Sequence, residues 1–122
     1  MTLDDFRTYC LSKPHTSERM PFGDGVLVFF VGSDEKSKMF ALASLDESPM
    51  TVNLKCEPAR ALELREEYDA ITPGYHMNKQ HWNTVRTQSG VPSNLMREMI
   101  DMSYSLVALS LPKTVRTELG IR

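Results

Sequence analysis

The sequence predicts an α+β domain in which helices are laid on an antiparallel sheet, and three observations lead there. Strand-forming runs follow one another from Val26 to Lys55 with connections far shorter than the dozen or so residues a parallel crossover needs. Segments with apolar residues at helical spacing stand before and after those runs. Proline or polar turn residues separate the segments. The predicted order is α-β-β-β-α-β-α-α, one domain over residues 1–122.

Each element has its own warrant. Thr2 is placed to cap a first helix whose opening turn holds Asp4 and Asp5, charges suited to the positive end of the helix dipole. Leu3, Phe6 and Cys10 form its apolar stripe, and Pro14 ends it. Residues 15–24 carry turn formers without a period and read as a loop. Val26–Val31 is apolar on both faces, as a central strand is. Lys38–Ser44 is the next strand, and Met50, Val52 and Leu54 alternate with Thr51, Asn53 and Lys55 in a third. A second helix opens at Glu57-Pro58, where proline fits the first turn, with Ala61, Leu62 and Leu64 as its apolar contacts. Ile71–Gln80 reads mostly as loop. Trp82–Thr87 is a fourth strand with Trp82, Thr84 and Arg86 on one face and Asn83 and Val85 on the other. Pro92-Ser93 opens the longest helix, whose apolar seam runs through Leu95, Met99, Met102, Leu106 and Leu109 and is widened by Met96, Ile100 and Val107. Pro112 breaks it, and Lys113–Arg122 forms a short terminal helix.

Composition narrows the function classes. A hydrophobic share of 41% and a charged share of 25% describe a folded globule, not a disordered or fibrous chain. The longest apolar run, Val26–Val31, is too short to span a bilayer. Met1-Thr2-Leu3-Asp4-Asp5 has no basic or apolar leader region, so a cytoplasmic location is expected. Cys10 and Cys56 stand in no CxxC or Cys/His cluster and read as small buried hydrophobes. Cys56, at the start of a helix, is the one thiol whose position would favour the thiolate. His76 and His81 are five residues apart, which does not fit the i, i+4 helical zinc pair, so no metal site is expected. G-x-S-x-G, Walker A and G-x-G-x-x-G patterns are absent, so neither catalysis nor a cofactor is expected. The methionines at 96, 99 and 102 lie on the seam of the long helix and read as core.

The net charge of −2 points to no polyanionic partner, but its distribution along the chain is uneven. From Ala70 to Arg97 there is no Asp or Glu, while Lys79, Arg86 and Arg97 are fixed positive charges. Tyr75, His76, Asn78, His81 and Trp82 are interleaved with them. Basic, amide and aromatic groups together are what phosphate and base contacts use. The same residues also suit an ordered loop whose aromatics pack on the sheet.

Several blocks carry a family resemblance. They are Met20-Pro21-Phe22-Gly23, Lys38-Met39-Phe40, Asn53-Leu54-Lys55-Cys56 with Pro58, Pro73-Gly74-Tyr75-His76-Met77-Asn78-Lys79-Gln80-His81-Trp82-Asn83, and Asp101–Val107. In order and spacing the chain resembles the MmcQ/YjbR family over nearly its whole length. The resemblance implies a CyaY/frataxin-like α+β fold, a bacterial cytoplasmic setting, and DNA binding through a double wing of β-hairpins. In this sequence the hairpin tips Ser33–Lys36 and Leu45–Ser48 each hold two acids, which would repel phosphate. DNA contact is therefore expected on the Ala70–Arg97 segment. Lys79, Arg86 and Arg97 would meet phosphates, His76, Asn78 and His81 would form hydrogen bonds, and Tyr75 and Trp82 would stack or shape the site. A protein-interaction or small-ligand module using the same loop and sheet face is the alternative.

Overall fold

The computed structural model describes residues 1–74 and 77–121. Its elements are α1 (Leu3–Leu11), β1 (Thr16–Arg19), β2 (Val26–Gly32), β3 (Ser37–Ser44), β4 (Thr51–Lys55), α2 (Pro58–Glu67), β5 (Ile71–Pro73), β6 (Trp82–Arg86), α3 (Ser93–Leu109) and α4 (Lys113–Leu119). The predicted α+β order is present, and two short strands join it at the margins. Every pairing is antiparallel, in the spatial order β1-β2-β3-β4-β6-β5. β1 and β5 are the edges, at Thr16–Arg19 and Ile71–Pro73 where the sequence reads as loop. Pro73 has no N–H to give a second neighbour, so an edge is where it is tolerated.

All the helical core residues meet one face of this sheet. Phe29, Val31, Ala41, Ala43, Val52, Leu54, Ile71 and Val85 pack there with Phe6 and Cys10 of α1, Ala61 and Leu64 of α2, and Met96, Met99, Ile100 and Val107 of α3. Thr2 caps α1 as expected: its hydroxyl accepts from Asp5 N at 3.2 Å, and the Asp5 carboxylate accepts from Thr2 N at 3.1 Å. Those bonds hold the exposed Asp5 carboxyl below its usual range. Asp101 of α3 accepts from the Tyr9 hydroxyl at 2.7 Å and pairs with Lys13, tying α1 to α3.

Two helical assignments shift. The buried stripe of α3 is centred on Met96, Met99, Ile100, Ser103 and Val107, while Leu109 is 51% exposed. Leu62 of α2 is likewise turned to solvent, 58% exposed. The reason in α3 is a polar residue in the core. β2 and β3 slip register between Phe29 and Phe30, which places Phe40 on β3 as the extra residue of a bulge. The β3–β4 ladder ends at Ala41–Leu54. Beyond it the fully buried Ser103 hydroxyl donates to Phe40 O at 2.5 Å and accepts from Lys55 N at 2.8 Å. A helix residue thus satisfies the backbone groups that the bulge leaves unpaired.

Candidate functional site

The sheet face turned away from the helices can be read row by row from the pairing. Arg19, Val28, Leu42, Asn53, Thr84 and Thr72 lie across it in one line. Val26, Ser44, Thr51 and Arg86 form a second line, and Ser17, Phe30 and Met39 with Lys55 and Trp82 a third. Val28, Leu42 and Trp82 form a buried cluster here, with Val26, Phe30, Met39 and Met77 partly buried against it. Among the described residues no helical one belongs to that cluster, so this is the open face.

The strand positions of this face carry positive charge and no carboxylate, and Asp34 of the β2–β3 turn stands at its edge beside Arg19 and Ser37. Among all the strand residues the one acid is Glu18, and it points to the helical side, where Arg7 Nε donates to it at 2.7 Å. Arg19, Lys55 and Arg86 occupy open-face positions. The Arg19 guanidinium carbon sits 3.6 Å above the centroid of the Phe30 ring, and its Nη2 donates to Ser37 Oγ at 2.8 Å. That is a cation–π stack with its orientation fixed by a hydroxyl. Arg86 is exposed and donates through Nε to Ser89 Oγ at 3.1 Å. Asn53 Oδ1 accepts from the Thr84 hydroxyl at 2.7 Å between them. A groove lined by Phe30, Ser37, Lys38, Met39, Lys55, Trp82, Val107 and Ser110 opens where β3 and β4 part beyond the bulge.

The loop leading into β6 is locked from behind. Arg65 of α2 donates through Nε to Asn83 Oδ1 at 2.7 Å, and through Nη2 to Lys79 O and to Trp82 O at 3.4 Å. Asn78 folds the turn itself: its side chain accepts from Gln80 N at 3.0 Å, and its carbonyl accepts from His81 N and Trp82 N. Gly74 N donates to Trp82 O at 2.8 Å, and a Cβ on Gly74 would lie 2.9 Å from Trp82 Cβ. Glycine is required there by close approach. Arg65 has no place in the sequence reading, because only its neighbours in space reveal what it holds.

The residues singled out by sequence separate in the fold. Trp82 and Arg86 lie on the open face, as the alternation in β6 predicts, but Trp82 is only 8% exposed. His81 is half-buried at the end of the turn, with its carbonyl accepting from Cys56 N at 2.7 Å. Lys79 is exposed beside α2, with Pro58, Leu62, Arg65 and Gln80. Arg97 is exposed on α3 in the helical layer, in a groove with Tyr9, Ser12 and Ser93. The acid-free segment therefore does not make one surface, because α3 lies on the opposite side of the sheet from Arg86. Tyr75 and His76 lie outside the described residues.

The thiols are not set up as nucleophiles. Cys56 is buried, as a small hydrophobe is expected to be, and burial raises its pKa where a helix start would by itself favour the thiolate. Burial pushes the Cys10 thiol higher still. Among the described residues no group of three or more His, Cys, Asp or Glu could hold a metal ion. No helix among them is long and apolar enough to cross a membrane.

Comparison with known proteins places this arrangement in a family. The chain is 36% identical over 103 residues to YbdF of Escherichia coli O157:H7, covering 84% of this chain and 81% of that one. It is 29% identical over 116 residues to YjbR of Escherichia coli K12, covering 95% of both. Both relatives are uncharacterized proteins. The crystal structure of Deinococcus radiodurans DR2400, with a DUF419 domain, superposes with a TM-score of 0.93 at 43% identity, over 99% of this chain and 89% of that one. A Pseudomonas syringae protein of 25% identity superposes with a TM-score of 0.74, covering 88% of this chain and 99% of that one. With the YjbR family model matching residues 11–106, this chain belongs to the YjbR family.

Proposed function

We propose that this protein binds DNA through the open face of its sheet, contacting backbone phosphates with Arg19, Lys55 and Arg86. The observation that carries the reading is that no strand residue of that face is an acid, although the chain as a whole is negative. All its acids other than Glu18 lie in helices, loops and turns, so within the sheet Lys55 and Arg86 have no carboxylate at a neighbouring strand position, and Asp34 meets the face only at the Arg19 edge. Lys79 of the 70–97 segment stands beside α2 and Arg97 lies on α3, and neither belongs to this footprint.

The hairpin tips do not support a double-wing mode. Asp34, Glu35, Asp46 and Glu47 are all exposed at the two ends of the strands. Carboxylates there would repel a phosphate backbone lying along the strands and favour one crossing them. The groove beside Phe30, Met39 and Trp82 supports a second reading, in which the same face takes an acidic partner segment between Lys38 and Lys55. The polyanion reading is favoured because Lys38 Nζ is already engaged by Ser110 O at 2.9 Å at the end of α3.

A titration of labelled duplex at several salt concentrations tests the proposal. Three phosphate contacts give a slope of log K against log salt of about −2.7. Replacing Lys55 and Arg86 together by glutamine flattens it by nearly two units, at about −0.9 per contact. Absence of association with duplex or single strands at ~50 mM salt, where phosphate contacts are strong, removes the reading.

A further inference from the structure

We infer that the nucleic acid taken by this face is single-stranded, with an unpaired base seated on the plane of the Arg19–Phe30 stack while the edge of the same guanidinium meets a phosphate. The inference rests on the DNA-binding reading and specifies the form of its ligand. It starts from the half of the face that phosphates cannot use. Val26, Phe30, Met39 and Met77 are only partly buried, and the β1–β2 turn at the edge of the face leaves Met20 41% and Phe22 63% exposed. Apolar surface gains nothing from a phosphate backbone. The bases of a duplex, which would gain from it, are already stacked on one another. Unpaired bases have free π-faces, and aromatic rings and guanidinium planes are the groups that take them.

Arg19 presents such a plane already oriented. One side of the guanidinium lies on Phe30 at 3.6 Å, the Ser37 hydroxyl fixes its rotation, and the residue is exposed. A base stacking there pays little of the ordering entropy that a free arginine side chain would lose. From β1 to β6 the face spans four strand spacings, about 19 Å, and Arg19 and Arg86 stand near its two sides. A flexible strand crossing in that direction passes between the acidic turns at either end of the strands. A rigid duplex, about as wide as the face, has to clear both.

Fluorescence anisotropy with a labelled oligothymidine of about 12 nucleotides, against a duplex of the same length at ~50 mM salt, tests this. The single strand is expected to bind at least about tenfold more tightly, the gain from stacking one to two bases. Arg19→Lys keeps the charge and loses the plane. It should weaken the single strand by about three- to tenfold with the salt slope as in the parent, and urea unfolding of the variant confirms its fold. Duplex bound as tightly as the single strand, or more tightly, overturns this inference and leaves the phosphate reading standing. A single-strand preference that Arg19→Lys does not alter overturns the Arg19 seat. Failure of both forms to bind, with or without capture of an acidic peptide on the face, overturns the DNA reading itself.

Discussion

Arg65 organises the approach to the open face without lying on it. Its guanidinium serves Asn83, Lys79 and Trp82 together, and Asn83 is 2% exposed. Arg65→Ala should cost roughly 2–4 kcal/mol, because it removes charge-assisted bonds and orphans a buried amide oxygen. Urea unfolding measures this, and an unchanged midpoint would show that the turn holds itself. Trp82, the single tryptophan of the chain, reports on the same region. Its emission should be blue-shifted and resist aqueous quenchers, and Trp82→Ala should destabilise by roughly 3–5 kcal/mol, as large aromatic truncations do. The packing of Trp82 was legible in sequence, since the alternation in Trp82–Arg86 assigns faces correctly. Arg65 was not legible, because a helix-surface arginine looks the same whether its partners are water or a loop eighteen residues on.

At the scale of elements, the strands and helices with strong apolar periods lie where the sequence puts them. The exceptions have physical causes. Thr16–Arg19 has no apolar alternation and becomes a strand through pairing with β2, and its short polar character suits an edge. Ile71–Pro73 is three residues long and is recruited by β6 in the same way. In α3 the buried stripe is displaced because Ser103, a polar residue, stands at its centre. A periodicity reading discounts serine, whereas the bulge at Phe40 requires it. Ser103→Ala should destabilise by about 2–4 kcal/mol, since both a buried carbonyl and a strand-end amide lose their partner. Ser103→Thr keeps the hydroxyl and should recover part of this. Equal denaturation midpoints for Ser103→Ala and the parent would contradict the bridging role.

Across the whole molecule, two segregations matter. The first is of proton-holding groups. Cys10, Cys56, Tyr9 and Tyr104 all have pKa values raised in the fold, by burial for the thiols and Tyr104 and foremost by the bond to Asp101 for Tyr9. The unfolded chain releases these protons first, so the native state binds more of them and stability falls as pH rises past about 9. Thermal melts from pH 8 to 10.5 should show that loss, and Cys10→Ala, though less stable at neutral pH, should lose less across the range. A parent melting temperature that stays flat would contradict it. The second segregation is of charge. In the linear sequence it shows as an acid-free window ending at Arg97, but the fold divides that window between the sheet and the helical layer. The better signal was the near-absence of acids from the strands, which becomes visible once the strands are known to share a face.

The central claim is that the open sheet face, and not the helical layer, meets nucleic acid. A head-to-head salt titration of three proteins tests it most directly: the parent, the Lys55→Gln/Arg86→Gln variant, and Arg97→Gln. With labelled duplex, the sheet variant is expected to lose nearly two units of slope and most of its affinity at low salt, with Arg97→Gln matching the parent. Loss of binding in Arg97→Gln, with the sheet variant unchanged, would contradict it.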